Sequence, residues 1–141
     1  MKRSLLAALL LATMAVTARA AKVEIVDAWI AAAPPNATVF AGYLSVRNDG
    51  DEPIRILGAK SLDFGAIEMH ETVEQDGIAR MQALTDTLII PGAQLRFEPG
   101  GKHLMLFRPA NSPVREGETR NARLHFSDGD SRVVTFTIRR R

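Results

Sequence analysis

The 141-residue sequence contains no cysteine. It therefore has no disulfide to constrain the chain and no thiolate for catalysis or metal binding. The motifs G-x-S-x-G, H-E-x-x-H and the phosphate-binding loop are also missing, and no apolar run reaches the roughly 20 residues that span a bilayer. We therefore expect a protein that is not an enzyme, has no stable membrane insertion and is held together by core packing alone.

The N-terminus has the features of a secretory signal. A basic region at residues 2–3 precedes an apolar run over residues 5–16, and Ala18-Arg19-Ala20 then offers a small-x-small cleavage pattern. We expect residues 1–20 to be a signal peptide, residues 21–141 to form one domain, and the protein to be periplasmic. Since no cysteine follows the apolar run, a lipid-anchored form is not indicated.

Charge gives little indication of a nucleic-acid partner. Three of the 18 basic residues lie in the expected signal peptide, so the domain carries 15 basic and 16 acidic side chains, a net charge of −1. The three C-terminal arginines are interpreted as a solvated tail, with an anionic partner as the alternative.

Short apolar-rich runs alternate with turn residues along the domain, and no amphipathic helix is evident. Turn signals such as Asn48-Asp49-Gly50 and Pro99-Gly100-Gly101 recur about every 10 residues, which predicts roughly eight or nine strands in an all-β, Greek-key β-sandwich. The runs are 23–32, 38–47, 54–59, 66–74, 78–84, 87–90, 94–98, 103–107, 119–126 and 132–138.

The domain has three methionines and three histidines, and five of these six residues lie between positions 69 and 105. They are Met69, His70, Met81, His103, Met105 and His125. His103 and Met105 are two apart in a predicted strand, so they share a face. His70 and Met81 lie on the two arms of a predicted hairpin, and a loop of two or four residues would place them on one face, directly opposite or on a diagonal. A three-residue loop would separate them unless a bulge corrected it.

The grouped side chains form a soft to borderline ligand set. Two thioethers and two imidazoles suit Cu(I) and suit Mg, Ca or Mn poorly. Since no thiolate or carboxylate belongs to the set, it differs from blue-copper and hydrolytic zinc sites. We therefore predict one Cu(I) per chain, bound by His70, Met81, His103 and Met105.

The spacing His70–x10–Met81–x21–His103–x–Met105 resembles the signature of periplasmic copper chaperones associated with the CuA centre of cytochrome c oxidase. The surrounding segments EMHETVEQDGIARM and EPGGKHLMLF fit as well. The resemblance implies a cupredoxin-like sandwich and copper delivery to an acceptor, either an oxidase subunit carrying CuA or another copper chaperone. Some family members carry a Met- and His-rich tail with extra copper sites. This sequence shows no such tail, so the resemblance leaves a second, Cu(II)-binding site open.

Other residues have more than one interpretation. Met69 should fill the core, His125 should point outward between two inward residues, and Trp29 and Tyr43 should belong to the core or its edge. Glu68 either orients the His70 ring or is simply solvated. The acidic hairpin tip, formed by Glu71, Glu74 and Asp76, is either a soluble turn or a docking surface.

Two other functions are compatible with the sequence. A periplasmic protein for copper storage or tolerance would share the site, whereas an adhesion-type binding module would share only the sandwich. We expect the protein to act as a monomer. A Cu(I) titration separates the adhesion module from the copper proteins.

Overall fold

The computed structural model describes residues 23–140, so the predicted signal peptide lies outside the described residues. Within this range all regular secondary structure is strand. The strands are β1 (Val23–Ala31), β2 (Val39–Asn48), β3 (Ile54–Lys60), β4 (Phe64–Gln75), β5 (Ile78–Ala83), β6 (Leu88–Ile89), β7 (Gln94–Phe97), β8 (Lys102–Pro109), β9 (Thr119–Phe126) and β10 (Ser131–Arg139). The all-β prediction is confirmed. The described range contains ten strands, one for each of the ten predicted runs, which is slightly more than the estimate of eight or nine.

The strands form one hydrogen-bonded path in the order β5-β4-β8-β2-β1-β10-β9-β3-β6, and β7 pairs with β2 beside that path. Most strands pair with partners distant in sequence, as in Greek-key folds. The two ends of the domain meet where β1 pairs in parallel with β10. β2 pairs with β8 through Val39–Gly42 and with β7 through Leu44–Arg47. The end of β7 and the beginning of β8 therefore meet beside the middle of β2, where Leu44 pairs with Phe97 and Gly42 pairs with Leu104.

The path folds so that the inner faces of its two halves pack together. Leu104 and Leu106 of β8 belong to the same buried cluster as Leu124 and Phe126 of β9. Each is at most 1% exposed, and burial of such a side chain stabilises the fold by about 1.5–3 kcal/mol. Because side chains alternate along a strand, the residues beside Leu104 and Leu106 point to the outer face.

A smaller cluster lies apart from this core. Trp29 and Tyr43 are 8% and 3% exposed, and their ring centroids are 4.6 Å apart. They pack with Ala31 and the partly buried Ala41. The prediction that both aromatic residues belong to the core or its edge is confirmed.

The C-terminal arginines are predicted to form a solvated tail. The Arg139 side chain is 47% exposed, as expected, but the residue belongs to a strand and not to a tail. Pairing with β1 carries β10 as far as this residue, whose guanidinium lies 4.5 Å from the Trp29 ring centroid and 2.9 Å from Asp27 Oδ1. Arg140 forms an exposed ion pair with Glu116, with 2.8 Å between the charged atoms. The last arginine lies outside the described residues.

Candidate metal centre

A two-residue turn sets the alignment of the β4–β5 hairpin. Gln75 pairs with Ile78, and the intervening Asp76 and Gly77 have φ angles of 54° and 74°. Two consecutive positive φ angles with the sequence Asp-Gly are typical of the type I′ turn that closes tight hairpins. The predicted two-residue alternative is therefore the one that forms.

This turn places Met81 on the same face as His70. Met81 pairs with Thr72, and His70 pairs with Ala83. Residues that face each other across two strands point to one side of the sheet, as do residues two apart on one strand. Met81 and His70 are consequently diagonal neighbours, which is one of the two arrangements that the sequence predicts.

The pairing of β4 with β8 brings in the other two residues. His70 lies directly opposite His103, and Met105 lies opposite Glu68. The two imidazole centroids are 6.1 Å apart with an angle of 48° between the ring planes. Three neighbouring strands thus bring all four predicted ligands to one outer face of the sheet.

The remaining methionine and histidine do not join this group. Met69 pairs with Leu104 on the inner side and packs against the main core. His125 lies on β9 between two buried residues, Leu124 and Phe126, and is only partly buried itself. Since β9 pairs with β3 and β10, His125 is on a different part of the sheet. Both predictions are confirmed.

The four side chains differ in their access to solvent. His103 is 6% exposed, and the His70 side chain is 20% exposed. Met105 is partly buried on β8, whereas Met81 is 55% exposed on β5 at one end of the strand order. The group therefore runs from a buried imidazole to an exposed thioether.

Hydrogen bonds determine which nitrogen of each ring is available. His103 Nδ1 lies 3.0 Å from the carbonyl oxygen of Gly101, which also accepts the Thr72 amide at 3.1 Å. His70 Nε2 lies 2.9 Å from Glu68 Oε2. Because a carbonyl and a carboxylate can only accept, these two ring nitrogens carry the protons in the neutral rings.

The other nitrogen of each ring is left with a lone pair. His70 Nδ1 and His103 Nε2 are both buried and have no hydrogen-bond partner. Buried polar atoms almost always find a partner, so an unpaired one needs an explanation. Two such lone pairs on facing residues, beside two thioethers, fit a bound metal ion. The atoms available to such an ion on this face are His70 Nδ1, His103 Nε2 and the sulfurs of Met81 and Met105.

The composition of the group restricts which metal suits it. Over residues 23–140, no three His, Cys, Asp or Glu side chains come together in a way that could hold a metal ion. Typical zinc, calcium and magnesium sites draw on these residue types. The group of two imidazoles and two thioethers instead suits a soft ion.

This cupredoxin-like all-β fold is also found in solved structures. The copper-bound PCuAC domain from PmoF2 is 23% identical with a TM-score of 0.68, and the match covers 85% of this chain and 94% of that one. The solution structure of CuI-DR1885 from Deinococcus radiodurans is 29% identical with a TM-score of 0.63, covering 80% of this chain and 75% of that one. The predicted fold class is therefore confirmed.

The chain belongs to the family described as "Putative lipoprotein LpqE-like", whose model matches residues 23–138. "Putative lipoprotein Lxx21020" of Leifsonia xyli subsp. xyli is 32% identical over 118 residues, which are 83% of this chain and 69% of that protein. Protein RP573 of Rickettsia prowazekii is 24% identical over 99 residues, or 70% of this chain; the match spans only 54% of that protein's length. In the described range, no helix has the length and apolar character needed to cross a membrane.

Proposed function

We propose that this protein binds one Cu(I) ion through His70, Met81, His103 and Met105 and delivers it to a copper-accepting protein in the periplasm. The observation that carries the proposal is the pair of buried, unpartnered imidazole nitrogens beside two thioethers on one sheet face. Two structural neighbours named as copper-bound proteins share this fold, which supports the choice of metal.

The donor set favours Cu(I) for a simple chemical reason. All four ligands are neutral, and their free lone pairs require no proton to leave before the ion binds. Soft thioethers and borderline imidazoles suit Cu(I) better than they suit hard ions. Four protein ligands also leave no open position for a substrate, which fits a carrier of copper rather than an enzyme.

The differences in exposure suggest how the ion leaves. Met81 is the most exposed of the four ligands and lies on an edge strand, where an acceptor can reach it. A soft ligand of the acceptor would first replace the Met81 sulfur, and the more buried histidines would release the ion later. Copper stays Cu(I) throughout, so the transfer exchanges ligands and requires no electron donor.

The acceptor proposed is the CuA-bearing oxidase subunit or another copper chaperone of the same compartment. Support for delivery to CuA is the spacing of the four residues and its resemblance to the chaperone signature. Support for a compartment outside the cytoplasm is the predicted signal peptide, together with the lipoprotein description of the family.

An anaerobic Cu(I) titration followed by transfer to isolated acceptor domains tests this function. X-ray absorption at the copper edge should show two sulfur and two nitrogen ligands at one copper per chain. Coordination by oxygen, or a preference for Zn(II), would contradict the proposed site. Tight binding without transfer to any acceptor would contradict delivery and favour storage.

A further inference from the structure

We propose that Glu68 is a positioning residue of the copper site, which holds the His70 ring so that Nδ1 is the nitrogen offered to the metal. This inference rests on the proposed function and adds a residue outside the four ligands. Sequence alone leaves Glu68 with two interpretations, and the 2.9 Å contact between its Oε2 and His70 Nε2 favours the orienting role.

The placement of Glu68 follows from the alternation of β4. Glu68 and His70 are two residues apart on this strand, so their side chains share the outer face. Glu68 also lies opposite Met105 of β8, within the same group of neighbours as the ligands. Its side chain is 57% exposed, whereas that of His70 is 20% exposed. Solvent therefore reaches the carboxylate more readily than the ring it holds.

A free neutral imidazole can place its proton on either nitrogen and can turn over about its bond to Cβ. A carboxylate removes this freedom because it accepts a hydrogen bond and cannot donate one. The contact keeps the proton of His70 on Nε2 and keeps Nδ1 in the buried position without a partner. Carboxylate partners of metal-bound histidines commonly fix the tautomer and the ring orientation in this way.

The two histidines are therefore fixed by different means and through opposite nitrogens. The His103 ring is held at Nδ1 by the backbone carbonyl of Gly101, which a side-chain substitution does not remove. The His70 ring depends on a side chain, so its orientation can be changed by one substitution. This difference makes the proposal testable without altering any of the four ligands.

The test compares Glu68→Ala, Glu68→Gln and a matched control, Glu74→Gln. Glu74 lies on the same strand and face and is exposed, but it pairs with Ala79 at the far end of the hairpin. Nitrogen-resolved NMR of the apo protein should show the Nε2–H form of His70 in the unsubstituted protein and in Glu74→Gln. It should show a mixture of both forms in Glu68→Ala. Glu68→Gln should largely restore the Nε2–H form, because its amide oxygen can still accept the hydrogen bond.

Copper affinity is then measured by competition with a Cu(I) chelator. Loss of a residue that orients a ligand typically lowers metal affinity about 10- to 100-fold, and we expect this for Glu68→Ala, with a smaller loss for Glu68→Gln. An unchanged His70 tautomer in Glu68→Ala would overturn the proposal. A Cu(I) affinity of Glu68→Ala within about twofold of that of Glu74→Gln would also overturn it. Both variants remove one negative charge, so the loss of charge alone would then account for the effect.

Two further measurements separate the possible causes of failure. The apo NMR result does not depend on copper, so it stands even if the unsubstituted protein fails to bind Cu(I) and the proposed function is wrong. X-ray absorption of the loaded protein shows whether Glu68 is itself a ligand. A third light ligand, nitrogen or oxygen, that disappears in Glu68→Ala would replace the positioning role with a direct one.

Discussion

Replacing Met81 with alanine should weaken copper binding and leave the stability of the fold nearly unchanged. Replacing Met69 with alanine should lower the stability and leave copper binding nearly unchanged. Met81 is 55% exposed on β5, so its truncation should change the free energy of unfolding of the apo protein by no more than about 0.5 kcal/mol. Met69 packs against the main core and is partly buried, so its truncation should cost about 1–2 kcal/mol. For a domain of this size, that cost corresponds to a fall in Tm of roughly 4–8 °C.

Copper affinity should follow the reverse order. Met81→Ala removes one of four ligands, and its cost should be at least the tenfold loss that follows removal of an orienting neighbour, or about 1.4 kcal/mol. Met69→Ala should leave affinity nearly unchanged, because this side chain lies on the other face of β4. Thermal unfolding of the apo proteins and competition with a Cu(I) chelator measure the two quantities. If Met69→Ala weakened binding as much as Met81→Ala, the assignment of faces in the hairpin would be refuted.

Three other perturbations should have measurable effects. Gly77→Val forces a β-branched residue into a φ of 74°, so we expect a loss of about 1–2 kcal/mol, seen as a lower apo Tm. The Arg115 amide and the Arg120 guanidinium lower the pKa of Glu118 from its ordinary 4.5. This carboxylate therefore favours the folded state above about pH 4.5, and its contribution is lost on acidification. Thermal melts from pH 6 to 3 should decline less steeply for Glu118→Gln. Added Cu(I) should stabilise an already folded apo protein by about 2.7 kcal/mol when free copper is 100-fold above Kd. An apo circular dichroism spectrum without β-structure would contradict this last expectation.

Alternation along the strands allowed the faces of the candidate site to be predicted from the sequence. The same rule places Met69 and His125. His125 points outward because its neighbours Leu124 and Phe126 must be buried, and Met69 points inward because it pairs with the buried Leu104. The turn at Asp76-Gly77 determined the alignment of the hairpin, and Asp-Gly is a strong local signal for a two-residue loop. These features depend on short stretches of sequence, which explains why they could be predicted.

Features that depend on distant pairings could not be predicted in this way. Nothing in the sequence around Arg139 indicates that β10 pairs in parallel with β1. The contacts of Arg139 with Trp29 and Asp27 depend on this pairing, so they could not be predicted. The choice of ring nitrogen is also hidden from sequence. The contact between the Gly101 carbonyl and His103 Nδ1 depends on the conformation of the turn before β8. The contact between Glu68 and His70 Nε2 depends on the rotamer of Glu68. Alternation identifies the face of a side chain but not its hydrogen bonds.

The two-residue turn at Asp76-Gly77 also restricts how this protein can change in evolution. Surface loops usually tolerate insertions and deletions freely. Insertion of a single residue here would exchange the two faces of β5 relative to β4 and replace Met81 at the site with a neighbour such as Arg80 or Gln82. Length changes should therefore survive in pairs, or together with a compensating bulge. Across related copper-binding chains, the number of residues between the histidine of β4 and the methionine of β5 should stay even, whereas the turn residues themselves should vary.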